Sequence, residues 1–517
     1  MKIALAQTLF RLGDFDNNYD ILLQNLKNAI QQKVDILVFP EGGLWGYSAQ
    51  DFLYHKDFYK IQDKKIQLLK KKLPESLNVL LPGFRYSKKK LENGIFLLER
   101  NKKIRFFAKE FLPDKGVFFE SRYFEKGKIK DNFFYCKKKR IQLLVCEDLW
   151  QEPLYKKPDL LISVNASPYS TYKQSLRLKR LRVLSKKTKQ GVIYLNLVGS
   201  QDSLIFDGAS FFLNEKGEKL WQGNFFQPDF KVLSIPFKKE KVIKTLNLNS
   251  QRKQALILGM QEFFYQTNFS KACIGLSGGI DSALVAYLAV QALGPENVRA
   301  YFLPTRYTRP ISFQIVKNLS QNLKLKVIEK NIDSFFHACL RFIFSKRKVK
   351  ALTQQNLQSR LRMLFLMAQS NEHSCLLLGT GNKSELAMGY STLYGDLSGA
   401  LCPIGDLLKT EVYELVNFIN QENVIFPKKL IFREPSAELR YNQIDSKELA
   451  PYKDLDSFLR SFFKTRDSKK TDWVKKIHAQ EFKRKQAPPI LKITEQDLGE
   501  SWRYPIANRF PLYKIEK

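Results

Sequence analysis

Histidine and cysteine, the residues most often used to pass protons and to hold metals, are scarce in this chain: four and six among 517. The cysteines, at 136, 146, 273, 339, 375 and 402, form no Cys-x-x-Cys pair. That argues against a structural zinc or a disulfide framework and fits a reducing cytoplasm. The histidines, at 55, 337, 373 and 478, include no pair at helical ligand spacing, so chemistry built on carboxylates, lysines and a thiol is expected. Long apolar runs are also missing. The longest uncharged one, residues 283–293, is far short of a membrane span, and a soluble protein with no membrane partner is expected. The start, Met1-Lys-Ile-Ala-Leu-Ala6, runs straight into Gln7 without a cleavage pattern, so no signal peptide is expected. Acidic residues are in deficit, 51 against 86 basic ones, for a formal charge of +35. The basic clusters, at 70–72, 88–90, 137–140, 186–187 and 238–239, are spread along the chain. They read as the surface of an enzyme that handles anions, and no nucleic-acid partner is expected.

What is present is enough for two cores. The length exceeds one ordinary domain, and 44% of residues are hydrophobic. Strand-like runs fall at residues 3–7, 36–40, 79–83, 95–99, 142–146, 160–165, 192–196, 209–213 and 232–235. Helix-like runs at 19–32, 57–72 and 173–189 lie between some of them. This mixed alternation predicts an α/β fold, a layered sandwich over residues 1–245. After a linking helix at 250–264 comes a glycine-rich loop and β-α-β alternation to about 420. That pattern predicts a doubly wound parallel sheet within a second domain, 246–517.

In the first half, three segments carry reactive groups at or just beyond strand ends. They are Phe39-Pro-Glu41-Gly-Gly, Phe107-Ala-Lys109-Glu-Phe-Leu-Pro113 and Leu144-Val-Cys146-Glu-Asp-Leu-Trp150. A cysteine nucleophile needs a base for its proton and a cation for the oxyanion it creates, and Glu41 and Lys109 supply both without a histidine. Together with Glu120 and Asn165-Ala-Ser167-Pro168, these segments resemble the Glu-Lys-Cys triad of the nitrilase superfamily, with its α-β-β-α sandwich. The resemblance implies that Cys146 attacks a carboxamide to form a thioester, with Glu41 as base, Lys109 on the oxyanion and Glu120 as the supporting glutamate. Members fused to a synthetase use L-glutamine, and the matching glutamine-binding positions are Lys115, Ser167 and Lys173. Lys115 stands where an aromatic residue is common and Phe119 where an aspartate is usual.

The second half opens with Gly275-Leu-Ser-Gly-Gly-Ile-Asp-Ser282 after an apolar run. Its glycines admit tight backbone and let amide N–H groups approach phosphate oxygens. The familiar phosphate loop ends in Gly-Lys-Ser/Thr, whereas here an aspartate, Asp281, takes part. An aspartate would repel phosphate unless a cation intervened, so its presence implies Mg²⁺ beside pyrophosphate.

That loop resembles those of ATP-dependent amidating enzymes that cleave ATP to AMP and pyrophosphate, on an adenine-nucleotide-alpha-hydrolase-like fold. Downstream, Asn356-Leu-Gln-Ser-Arg360-Leu-Arg362, Gly379-Thr380-Gly-Asn-Lys-Ser-Glu385, Tyr394-Gly-Asp396, Lys409-Thr410 and Pro435-Ser-Ala-Glu438-Leu439 resemble the NAD synthetase family, in its order. Lys483-Arg-Lys-Gln486-Ala-Pro-Pro489 resembles its closing segment. The resemblance implies a cytoplasmic glutamine-fed ligase that turns deamido-NAD into NAD with ATP as co-substrate. By it, Gly275, Leu276, Ser277, Gly278, Gly279, Ile280, Asp281, Ser282, Arg362, Thr380 and Lys409 bind ATP. Asn356, Glu385 and Lys483 contact deamido-NAD, while Asp281, Glu385 and Asp396 hold Mg²⁺. A homo-oligomer, dimer or higher, is implied as well. The alternative is ATP-dependent amidation or thiolation of another substrate such as RNA.

Overall fold

The computed structural model describes residues 1–87, 90–151, 158–236, 246–345, 347–445, 449–465, 471–485 and 503–511. The basic residues at 88–89 and 238–239, the boundary at 245 and the motif residues 486–489 lie outside these. The chain divides into two compact units. Met1–Gln251 with residues 503–511 form the first, and the described residues from Arg252 to 485 form the second. Residues 503–511, expected with the second domain, therefore return to the first unit. Their apolar side chains explain why: Phe510 is buried among Phe15, Phe52 and Phe58.

The first unit holds two six-stranded sheets. One contains β1 (Lys2–Gln7), β2 (Ile36–Val38), β3 (Asn78–Ser87), β4 (Lys90–Leu98), β5 (Arg105–Ala108) and β14 (Asp229–Ser234), in the order β14-β1-β2-β3-β4-β5. The other contains β6 (Phe133–Cys136), β7 (Lys139–Val145), β8 (Leu160–Asn165), β9 (Gly191–Asn196), β12 (Phe211–Leu213) and β13 (Lys219–Gln222). Its order is β13-β12-β9-β8-β7-β6, and a separate hairpin pairs β10 (Val198–Gln201) with β11 (Leu204–Asp207).

Apolar residues on both faces of each strand make four layers. Ile3, Leu5, Ile36, Val38 and Leu80 meet Leu143, Val145, Ile162 and Ile193 in a core between the sheets. Their neighbours Ala4, Ala6, Leu37, Val79 and Leu81 turn outward to Leu22, Leu26, Phe58 and Ile66. Those four lie on helices α1 (Phe15–Gln31) and α2 (Lys56–Lys71). On the far side, Leu144, Leu161 and Val192 pack on Leu181 and Leu184 of α3 (Lys173–Thr188). Alternation of side chains along a strand requires this arrangement when both faces are apolar. The result is the expected α-β-β-α sandwich.

Helix α4 (Leu248–Thr267) runs from the end of the first segment into the second unit, where it precedes a four-stranded parallel sheet of β15 (Ala272–Gly275), β16 (Val298–Phe302), β17 (Val327–Glu329) and β18 (Leu376–Leu377). The strand order is β17-β16-β15-β18. The order reverses at β15, so loops after β15 and β18 diverge and open a crevice at the carboxyl edge, where such sheets bind ligands. Helix α5 (Ile280–Leu293) starts at the glycine loop.

Candidate active sites

Strand ends of the first unit deliver the expected triad. Glu41 follows β2, Lys109 follows β5 and Cys146 follows β7. Lys109 is fully buried, and its Nζ donates to Glu41 Oε1 at 2.9 Å and to Glu120 Oε1 at 2.9 Å. Glu41 also accepts from Asn93 Nδ2 and from the Ala166 amide, each at 3.0 Å, and lies beside the Cys146 thiol. Glu120 accepts the Tyr47 hydroxyl at 2.7 Å.

The electrostatics follow from burial and sign. Burial disfavours a charged lysine, yet the adjacent carboxylates of Glu120 and Glu41 prevail and hold Lys109 charged, well above its usual range. Burial, reinforced by Glu41, pushes the Cys146 thiol well up, so the resting sulfur keeps its proton. Attack by sulfur therefore requires proton transfer as it occurs, and Glu41 is the base within reach. Cys146 has φ +47°, a left-handed conformation that turns the chain sharply at the strand end. Asp148 steadies that turn. Its carboxylate accepts from the amides of Val145 and Glu110 at 3.1 Å and of Phe111 at 2.9 Å, clamping the Lys109 and Cys146 segments together.

The expected glutamine-binding residues spread around this cluster. Ser167 is buried, next to the Ala166 amide that Glu41 holds. Lys173 is half-buried, with Nζ 5.2 Å from the Trp150 ring centre, whereas Lys115 lies exposed. Sequence reasoning missed Tyr47, Asn93, Asp148, Arg177 and Asp207. Arg177 left a trace, since it occupies the stripe of Leu181 and Leu184 on α3, where an arginine needs a partner. Its guanidinium donates to Asp207 at 2.7 Å and to Ser167 O at 2.7 Å.

The second cluster lies where the loops after β15 and β18 part. The 275–282 loop, Arg362, Thr380, Glu385 and Lys409 line a cavity of about 720 Å³. Gly278 has φ +80°, and a β-carbon there would stand 3.1 Å from Ser312 O, so any side chain at this position is strained. The loop serines are turned on each other: Ser277 Oγ and Ser282 Oγ lie 3.1 Å apart. Lys409 Nζ donates to Asp281 Oδ2 at 2.5 Å and to Glu385 Oε1 at 3.0 Å, while Asn382 Nδ2 donates to Asp281 Oδ1 at 3.1 Å. Burial pushes the Glu385 carboxyl up to about 7 against the opposing pull of Lys409, and Asp281 adds to the rise. For Lys409 the balance is reversed: burial opposes its charge, but Asp281 and Glu385 hold it well above its usual range.

Asp281 and Glu385 are hard oxygen donors joined through one cation, Lys409. Magnesium is usually held by one or two carboxylates with substrate phosphates completing its shell, so this pair fits it. Asp396 does not join them. Its carboxylate accepts from Ser359 Oγ and the Thr392 amide, each at 2.8 Å, and is committed to its own turn. Among the described residues no group of three acidic, histidine or cysteine side chains is spaced for a metal, which leaves Asp396, expected to hold Mg²⁺, apart from Asp281 and Glu385.

The residues expected to meet deamido-NAD divide likewise. Asn356 accepts from Thr392 Oγ1 at 2.8 Å, and Lys483 Nζ donates to Gly389 O at 2.7 Å and Ser391 O at 2.9 Å. Both therefore fasten the 389–396 loop beside Asp396, whereas Glu385 sits with Asp281. Arg362 Nε donates to Leu303 O at 3.1 Å, and burial holds its guanidinium down to about 10. Arg433 was missed: it donates to Gly278 O at 3.2 Å and pairs with Glu438 at 2.7 Å, bracing the loop.

Comparison with known proteins finds relatives of both units. The carbon-nitrogen hydrolase family model matches residues 2–229 and the NAD synthase model residues 253–495. A glutamine-dependent NAD(+) synthetase from Synechocystis is 36% identical, with 98% of this chain and 99% of the relative covered. One from Thermotoga maritima is 33% identical over 99% of each. The solved glutamine-dependent NAD+ synthetase from Acinetobacter baumannii, in complex with ADP, superimposes with a TM-score of 0.84 at 30% identity, over 98% of this chain and 99% of that one.

Proposed function

The chain belongs to the glutamine-dependent NAD(+) synthetase family, and we infer that it uses the two clusters to make NAD from deamido-NAD, ATP and glutamine. The observation that carries this reading is the pairing of a buried Glu41–Lys109–Cys146 cluster with an aspartate-bearing phosphate loop in one chain.

In the first unit, Cys146 Sγ adds to the glutamine carboxamide as Glu41 takes the thiol proton. Lys109 lies beside the carbonyl oxygen as it gains charge, and Glu120 holds Lys109 in place. The C–N bond breaks, Glu41 returns the proton to the departing ammonia, and water then cleaves the thioester to glutamate. In the second unit, the nicotinate carboxylate of deamido-NAD attacks the α-phosphorus of ATP, forming an acyl-adenylate and releasing pyrophosphate. Ammonia displaces AMP and leaves the carboxamide of NAD.

The 275–282 loop and Lys409 bind the phosphates, and Asn356, Glu385 and Lys483 contact deamido-NAD. Mg²⁺ held by Asp281 and Glu385 supplies neutralisation of the pyrophosphate charge when bound. A homo-oligomer is part of this reading, and the exposed neighbours Phe342 and Ile343 on the helix Asp333–Phe344 are apolar surface that it could cover. Free cysteines support a cytoplasmic setting. Purified protein given ATP, Mg²⁺, deamido-NAD and glutamine is expected to yield NAD, AMP and glutamate. Failure to form NAD with either glutamine or ammonium chloride would overturn the reading.

A further inference from the structure

Residues 503–511 lie more than 250 positions beyond the last strand of the first unit, yet they are built into it. Their far end is anchored in the core. Phe510 packs edge-on to Phe58 at 5.0 Å, and the Arg509 amide donates to Leu12 O at 2.9 Å. Gly13, at φ +72°, leaves room for no β-carbon against the Phe510 backbone, which would lie 2.5 Å away. In the middle, the Ala507 amide donates to Asp202 Oδ1 at 2.8 Å.

The near end meets the turn that carries Glu120. Arg503 and the buried Asp51 exchange two hydrogen bonds, Arg503 N–H to Asp51 Oδ2 at 2.8 Å and Asp51 N–H to Arg503 O at 3.0 Å. Asp51 Oδ1 also accepts the Tyr123 hydroxyl at 2.8 Å and lies 3.5 Å from Arg122 Nη2. The Arg503 guanidinium stands 4.0 Å from the centre of the Phe119 ring. Phe119 and Tyr123 directly flank the short turn Glu120–Arg122. The strap thus grips both sides of the turn whose glutamate orients Lys109.

We propose that Arg503 is a positioning residue for glutamine hydrolysis: its main chain seats the segment on Asp51, and its guanidinium, set over Phe119, fixes the Glu120 turn and through Glu120 the ammonium of Lys109. The inference rests on the reading of Glu41, Lys109, Cys146 and Glu120 as the glutaminase cluster. A guanidinium over an aromatic face is attracted by the ring, and small displacements of a catalytic group lower kcat steeply. The C-terminal segment of the chain is then a working part of the glutaminase unit.

The test is steady-state kinetics of the full-length enzyme with glutamine and, separately, with ammonium chloride. Arg503→Ala is expected to lower kcat with glutamine about tenfold, a rise of about 1.4 kcal/mol in the barrier. Its KM for glutamine and its ammonium-driven rate should stay near wild type, and Arg503→Lys should recover most of the loss because an ammonium also sits over the ring. Phe119→Ala should give a similar loss, and the double variant no more than either single one. An unchanged glutamine-driven kcat in Arg503→Ala, equal losses with both donors, or additive losses in the double variant would overturn the proposal. Cys146→Ala serves as the reference: if it still uses glutamine, the glutaminase reading itself fails, whatever Arg503→Ala does.

Discussion

Lys409 and Asp281 stand 128 positions apart in sequence and 2.5 Å apart in space, one ammonium on one carboxylate oxygen. The same ammonium reaches Glu385 at 3.0 Å, so one lysine ties the phosphate loop to the helix that follows β18. Asp281→Asn keeps the shape but removes the charge that binds this lysine and, by the proposed role, Mg²⁺. NAD formation should fall by about 100-fold or more with glutamine and with ammonium alike. Retained synthesis in the folded variant would refute that role.

Gly278 offers a test of the loop backbone. Alanine there must adopt φ +80°, which costs about 1–2 kcal/mol, and its β-carbon presses on Ser312 O. Gly278→Ala should raise the KM for ATP about tenfold with either nitrogen donor. Glutamate release from glutamine in the absence of ATP should match wild type. An unaltered KM for ATP would show that the loop does not hold the nucleotide.

Arg177 and Asp207 form a fully buried ion pair, and Arg177 also holds the Ser167 carbonyl. Removing one partner leaves the other charge buried without compensation, at a cost of about 3–5 kcal/mol. Arg177→Ala should therefore unfold at lower temperature and lose glutamine-driven synthesis, because Ser167 and its neighbour Ala166 shift. Thermal unfolding indistinguishable from wild type would contradict this account of the pair.

Asp148 predicts a pH dependence of stability. Burial lifts its carboxyl to about 7, above the 3.8 of an exposed aspartate, even though three backbone amides favour the charged form. Between these values the folded protein keeps a proton that the unfolded chain has released. The stability this group contributes is thus fully present below about pH 4 and lost as pH rises through about 7. Asp148→Asn should show a smaller fall in urea midpoint between about pH 5 and about pH 7 than wild type. Equal slopes in the two proteins would refute it.

Much of this was legible in the sequence because the chemistry sits at strand ends. An apolar run followed by Glu41, Lys109 or Cys146 marks both the strand and the group it delivers, and the glycines of the 275–282 loop mark the strand–helix turn. The partners that hold these groups were not legible. Tyr47, Asn93 and Asp148 are ordinary residues until the fold sets them against Glu120, Glu41 and the Cys146 turn. The partners of Asp396 were hidden for the related reason that motif order does not show which groups converge, and its carboxylate accepts from the Ser359 hydroxyl. Phe510 gave no warning either, since only tertiary packing carries it back to Phe58 in the first unit.

The central claim is that one chain takes nitrogen from glutamine at Cys146 and delivers it to an adenylated carboxylate at the second cluster. Its most direct test supplies the purified protein with ATP, Mg²⁺, deamido-NAD and glutamine labelled with nitrogen-15 in the amide. The NAD formed should carry the label in its carboxamide, with AMP and glutamate produced alongside. Cys146→Ala should form labelled NAD from labelled ammonium but none from glutamine. Labelled NAD made from glutamine by Cys146→Ala, or no NAD from either donor with the unaltered chain, would contradict the account.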